Sequence, residues 1–104
     1  MKTVLIVDEE SPERDALVKG LSASGYTVKE TMNFYGALDR LKQDSTICCI
    51  LLDEKNAAGM PVEAFLRKAD SLKSGLSVVL LAKPIQFDEL LQAVRDCIGA
   101  AESV

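Results

Sequence analysis

Two apolar runs constrain the fold of this 104-residue chain more than any other feature of its sequence. Residues Thr3 to Val7 and Ile47 to Leu52 are almost continuously apolar, without the alternation of a strand that faces water on one side. Strands of this kind are covered on both faces, as in parallel sheets flanked by helices. The two runs therefore predict the central strands of a parallel α/β sheet.

Helix signals separate the strands. Residues 11–13 (Ser-Pro-Glu) supply a capping hydroxyl, a proline at the first helical position and an acid in the first turn of a helix that reaches Gly25. Asn33 can cap a second helix, and the last helix is expected to end near Gly99. The apolar stripes of the four helices are Leu17 and Leu21; Phe34, Ala37, Leu38 and Leu41; Val62, Phe65, Leu66 and Ala69; and Phe87, Leu90, Leu91, Val94 and Ile98.

The pattern alternates four strands with four helices, the second and fourth strands being predicted at 26–29 and 77–81. Right-handed crossovers then give a doubly wound parallel sheet of order 2-1-3-4. The first and last helices are expected on one face and the two middle helices on the other. We predict a single domain over residues 1–100, followed by a C-terminal tail at 101–104.

Composition narrows the classes of function. Sixteen acidic and twelve basic residues give a net charge of -4, and without a basic stripe direct nucleic-acid binding is not expected. The sequence has no apolar stretch long enough to predict a membrane span. The first predicted strand follows Met1 too closely for a signal peptide. A cytoplasmic location is therefore expected. Cys48, Cys49 and Cys97 lack metal-ligand spacing and the chain has no histidine, which favours buried, reduced thiols.

Polar residues follow three of the apolar strands: Asp8-Glu9-Glu10, then Asp53, then Lys83-Pro84. Because the carboxyl ends of parallel strands meet at one edge of the sheet, these groups are expected to share one pocket. Clustered carboxylates repel one another, which favours a bound cation. The plainer alternative is that the acids at 8–10 stabilise a helix N-terminus and that Lys83 forms a surface ion pair with Asp53.

These motifs resemble the receiver domain of bacterial two-component response regulators. The likeness rests on residues 4–10 (Val-Leu-Ile-Val-Asp-Glu-Glu), 50–53 (Ile-Leu-Leu-Asp), 59–60 with 65–67, and 83–85 (Lys-Pro-Ile). It implies a flavodoxin-like fold and an acceptor module that does not turn over a small-molecule substrate, and is in that sense not an enzyme.

The resemblance also implies roles for individual residues. Asp53 would be the phosphoacceptor and Lys83 would contact the phosphoryl group. Mg²⁺ would be held by Asp8, Glu9, Asp53 and the main-chain carbonyl of Lys55. The phosphodonor would be a histidine kinase or a phosphotransfer protein.

The sequence also departs from the family. One helix-strand unit is missing before Lys83. If the strand at 77–81 corresponds to the family's fourth strand, Ala82 stands where the switch hydroxyl should be; if it corresponds to the fifth, the strand that carries the hydroxyl is absent. In both alignments the hydroxyl and the aromatic residue of the family's conformational switch are missing. Altered output is therefore expected, and the alternative function is a phosphorylation-independent pseudo-receiver that binds proteins. A nucleotide-dependent enzyme of the same fold is disfavoured, because no Gly-rich loop follows the first strand.

The missing unit would leave residues 77–81 as an uncharged sheet edge. Such an edge is a template for strand pairing, which predicts an antiparallel homodimer through this strand. A covering loop or a rearranged last helix is the alternative.

Overall fold

The computed structural model describes residues 3–8, 12–53, 61–73, 76–81 and 86–102. These residues form four strands, β1 (Thr3–Val7), β2 (Thr27–Thr31), β3 (Ile47–Leu52) and β4 (Ser77–Leu80). The four helices are α1 (Pro12–Ala23), α2 (Phe34–Gln43), α3 (Val62–Leu72) and α4 (Phe87–Glu102). All strands are parallel and their order is β2-β1-β3-β4, which confirms the predicted topology.

The two apolar runs form the centre of the sheet. Every residue of β1 is buried, and β3 is buried at all positions except the half-buried Cys48. β2 differs from the prediction of residues 26–29, because it runs from Thr27 to Thr31. Pairing with β1 over its full length, up to Val7 opposite Thr31, explains this extension into polar residues.

Each face of the sheet has its own hydrophobic core. One core lies under α2 and α3, where the fully buried rings of Phe34 and Phe65 stack with their centroids 4.6 Å apart. The other core lies under α1 and α4, where Leu17 and Leu21 belong to the same cluster as Leu90. The prediction that the first and last helices share one face is confirmed.

Local signals explain two of the helix ends, and one predicted end is wrong. The Asn33 side chain accepts a hydrogen bond from the Gly36 amide at 2.8 Å and so caps α2. Gly25 ends the turn after α1 with φ +96°, a conformation that L side chains rarely adopt. The predicted end of α4 near Gly99 is wrong, since the helix continues to Glu102. A glycine within a helix costs only about 1 kcal/mol, so it need not end one.

A hydrogen-bonded network closes the amino ends of the central strands. The Asp44 carboxylate accepts hydrogen bonds from the amide and hydroxyl of Thr46, at 2.9 and 2.5 Å, and pairs with the Lys29 ammonium at 2.7 Å. The Thr46 hydroxyl also bonds that of Thr3 at 2.7 Å. Lys73 donates to the main-chain oxygens of Ser45 and Ile47, both at 2.5 Å. These bonds connect the loop between α2 and β3 to β1, to β2 and to Lys73 at the end of α3.

The cysteines are free thiols, as expected, but they are less uniformly buried than predicted. Cys49 is fully buried, whereas Cys48 and Cys97 are partly exposed. Burial raises the pKa of the Cys49 thiol to about 12, so this thiol is protonated at neutral pH. Across the part of the chain that the structure describes, no helix has the length and apolar character needed to cross a membrane.

Candidate functional site

Two aspartates occupy neighbouring positions at the carboxyl end of the sheet. Asp8 directly follows β1 and Asp53 directly follows β3, and the last residues of these two strands, Val7 and Leu52, are paired. The Asp53 amide donates to the carbonyl of Val7, and the Asp8 amide donates to that of Thr31, both at 3.1 Å. Neighbouring strands lie about 4.8 Å apart. The strand ladder therefore holds the two aspartates side by side.

Both aspartates are withdrawn from solvent. Asp8 is 0% exposed and Asp53 is 8% exposed. Acidic residues are rarely buried unless a partner compensates their charge, and two neighbouring carboxylates repel each other. A site of this kind is stabilised by positive charge, whether from a side chain or from a cation.

The chemistry of the two carboxylates fits a magnesium ion, because Mg²⁺ takes oxygen ligands and keeps several waters when it binds to only one or two carboxylates. Within the described ranges, no three histidine, cysteine or acidic side chains form a metal-binding group. Glu9, Lys55 and Lys83, the other predicted site residues, lie outside the residues that the structure describes, as does Glu10. The structure thus brings together Asp8 and Asp53 and leaves the remaining three site residues as predictions.

Arg14 is a part of this region that the sequence analysis missed. Its side chain is buried, and Nη1 donates a hydrogen bond to the main-chain oxygen of Asp8 at 3.0 Å. Its Nε lies 3.5 Å from a carboxylate oxygen of Glu30 on β2. The guanidinium therefore brings a positive charge to the end of β1.

A signal for the burial of Arg14 was present in the sequence. Arg14 precedes Leu17 and Leu21 at a spacing of three and seven residues, which is the spacing of one helix face. Arg14 therefore belongs to the buried stripe of α1. A stripe defined by apolar residues alone does not include it.

Similarity to known proteins is confined to solved structures. No protein-family model matches the chain, and no curated protein does. A response regulator receiver domain protein, described as CheY-like, from Methanospirillum hungatei superposes with a TM-score of 0.88 at 21% identity, over 99% of this chain and 98% of that one. The receiver domain from the hybrid histidine kinase CckA gives a TM-score of 0.80 at 24% identity, over 91% of this chain and 97% of that one.

A third match comes from the crystal structure of the histidine kinase ThkA in complex with the response regulator protein TrrA. It has a TM-score of 0.79 at 22% identity and covers 93% of this chain and 98% of the matched chain. The chain has a receiver fold. At these identities the similarity establishes the architecture, which is the doubly wound parallel sheet predicted from the alternation of strands and helices.

The receiver fold accounts for the positions of the two aspartates. In parallel α/β sheets, binding sites form beyond the carboxyl ends of the strands, where loops from several strands converge. Asp8 and Asp53 stand at that end of the two central strands. The described part of the receiver fold has four strands, as predicted for a shortened domain.

Proposed function

We propose that this chain is a phosphoacceptor receiver domain of a two-component signalling system, with Asp53 as the acceptor. The observation that carries the proposal is the pair of buried carboxylates, Asp8 and Asp53, at the carboxyl ends of adjacent central strands in a receiver fold. Buried, clustered acids at such a position are costly for stability and are characteristic of functional sites.

The proposed reaction is a single phosphoryl transfer. A carboxylate oxygen of Asp53 forms a bond to the phosphorus atom of a phosphohistidine donor, while the phosphorus-nitrogen bond of the donor breaks. The donor imidazole leaves and takes a proton from solvent, and an aspartyl phosphate remains on this chain. The domain accepts one phosphoryl group and does not turn over a small-molecule substrate.

Asp8 and Asp53 would hold Mg²⁺, together with Glu9 and the main-chain carbonyl of Lys55. The ion would neutralise negative charge on the phosphoryl oxygens. Lys83 would contribute a further positive charge to the transferred group. Arg14, through its bond to the Asp8 carbonyl, fixes the end of the strand that carries the first acid.

The expected donor is a histidine kinase or a phosphotransfer protein, and the expected location is the cytoplasm. Support for a kinase partner comes from the match to a structure of a kinase in complex with a response regulator. Because the sequence lacks one helix-strand unit of the family and the switch hydroxyl, we expect an output that differs from the standard rearrangement of receiver domains.

Intact-mass measurement with a small phosphodonor tests the proposal. The protein is incubated with phosphoramidate and Mg²⁺, and with the same donor and excess chelator. We expect the mass of one phosphoryl group to be added only with Mg²⁺, and peptide mapping to assign it to Asp53. An unmodified protein would contradict the proposal and favour the alternative, a pseudo-receiver that binds proteins without phosphorylation.

A further inference from the structure

The outer edge of β4 is the feature that the proposed function does not use. β4 is the last strand of the sheet, and no described strand pairs with its outer side. The sequence of β4, Ser-Val-Val-Leu, carries no charge. Leu80 is 52% exposed, although the strand is otherwise half-buried.

The opposite edge of the sheet is built differently. β2 carries Lys29 and Glu30, which form ion pairs with Asp44 and Arg14 at 2.7 and 3.5 Å. Charged side chains on an edge strand oppose pairing with another chain, because pairing would remove these charges from water. Of the two edge strands in the described sheet, β4 is therefore the one that offers an uncharged edge to a further strand.

The hydrogen-bonding pattern fixes which groups of β4 point outward. The Leu81 amide donates to the Leu52 carbonyl at 2.8 Å, so the main-chain groups of residue 81 face β3. Main-chain direction alternates along a strand, so those of Val79 also face β3. The N–H and C=O groups of Val78 and Leu80 consequently face outward.

We propose that two copies of the chain pair through their β4 edges, antiparallel, with the twofold axis at Val79. In this register Val78 of each copy lies opposite Leu80 of the other, and each such pair exchanges two main-chain hydrogen bonds. All paired residues then lie within the four-residue strand.

Side-chain positions agree with this register. Val78 packs against the core under α2 and α3, whereas Val79 packs against the core under α1 and α4. Leu80 shares the face of Val78 by strand alternation. Opposite residues in an antiparallel pair lie on the same face, so Leu80 of one copy covers Val78 of the other and loses its exposure to water.

A second copy suits this edge better than a charged partner strand. The second copy contributes the same uncharged strand. The contact therefore buries no charged side chain, although the chain as a whole carries a net charge of -4. A short strand makes a small interface, which predicts a weak dimer in equilibrium with monomer. The inference does not rest on phosphorylation.

Sedimentation equilibrium over a concentration series up to about 1 mM tests for the dimer. We expect the wild-type mass to rise from monomer towards dimer, and Leu80→Lys to remain monomeric. Met32→Lys is the matched control, because Met32 is an apolar residue of similar exposure, 56%, remote from β4. A wild-type mass that stays monomeric, or a dimer that persists in L80K, overturns the proposal.

Cross-linking tests the register independently. In a chain with C48S, C49A and C97S, Val79→Cys places two thiols across the axis in a non-hydrogen-bonded pair, where Cα atoms are about 4.5 Å apart and a disulfide fits. Oxidised glutathione is the oxidant: it accepts the two hydrogens of the thiols introduced at position 79 and becomes reduced glutathione. Leu80→Cys is the control, since its two copies lie more than about 7 Å apart. Equal cross-linking of both variants, or cross-linking of L80C alone, overturns the register, and circular dichroism checks that both variants fold.

Discussion

The two ends of the sheet hold charged residues in opposite ways. At the amino end, the Asp44 carboxylate is surrounded by an ammonium, an amide and a hydroxyl, all within hydrogen-bond distance. At the carboxyl end, the strand ladder holds Asp8 and Asp53 side by side and out of solvent. A single aspartate lies among donors at the amino end, whereas two aspartates lie next to each other at the carboxyl end.

This difference suggests separate roles for the two ends of the sheet: the amino end stabilises the fold, and the carboxyl end carries the candidate site. Satisfied polar networks stabilise and define a fold, whereas neighbouring buried acids reduce stability and persist where a site needs them. The amino end can therefore be changed at a cost in stability alone. Changes at the carboxyl end should alter phosphoryl transfer or cation binding.

The largest expected effect is the loss of phosphorylation in Asp53→Asn, because the amide is not a nucleophile for phosphorus. Asp44→Asn is the matched control at the other end, since it makes the same change to a carboxylate outside the site. Intact-mass measurement with phosphoramidate and Mg²⁺ should show modification of D44N and none of D53N. Modification of both variants would remove Asp53 from its proposed role, and loss in both would abolish the contrast between the ends.

How far the sequence predicts this structure depends on the kind of signal. The runs in β1 and β3 and the four apolar stripes predicted the sheet order and both helix layers, because burial on two faces leaves continuous apolar patterns. The placement of Asp8 and Asp53 together followed from the topology, since parallel strands end at one edge.

Other features depend on tertiary contacts that no local pattern records. β2 reaches Thr31 because β1 offers a pairing partner along its whole length. Arg14 is buried because the end of β1 presents a carbonyl to it, as the hydrogen bond to Asp8 shows. The network around Asp44 joins Thr3 on β1 and Lys29 on β2 to the loop between α2 and β3, and these three segments are far apart in the sequence.

Arg14→Met should give the next largest effect, on stability. Methionine preserves much of the buried volume but removes the donor to the Asp8 carbonyl, and an unsatisfied buried acceptor costs about 1–3 kcal/mol. Arg67→Met, at an exposed position of α3, is the control and should change the free energy of unfolding by less than about 0.5 kcal/mol. Urea denaturation measures both. Equal effects of the two variants would show that Arg14 does not support the carboxyl end.

Magnesium should stabilise the folded protein through the carboxyl end only. At a concentration ten times the dissociation constant, a ligand of the native state adds about 1.4 kcal/mol to the free energy of unfolding. We expect this gain in the wild type and in D44N, and a smaller one in Asp8→Asn, with sodium chloride at matched ionic strength as the control. The same gain in D8N as in the wild type would contradict a site at Asp8.

The smallest effect concerns pH and the amino end. The hydrogen bond from Lys29, followed by those from Thr46, lowers the pKa of Asp44 well below its ordinary range. Unfolded aspartate takes up its proton near pH 4, so the stabilisation by ionised Asp44 is complete above that pH and is lost as the pH falls below it. In D44N this contribution is absent, while the amide oxygen can still accept from the Thr46 amide.

The difference in free energy of unfolding between wild type and D44N should therefore be constant from about pH 7 to 5 and shrink towards pH 3. Urea denaturation across this range measures it. A difference that stays constant down to about pH 3 would mean that the charge of Asp44 contributes nothing and that the main-chain contact holds the loop alone. The amino end would then be stabilised by hydrogen bonding without ion pairing, and charge would matter only at the end that carries Asp8 and Asp53.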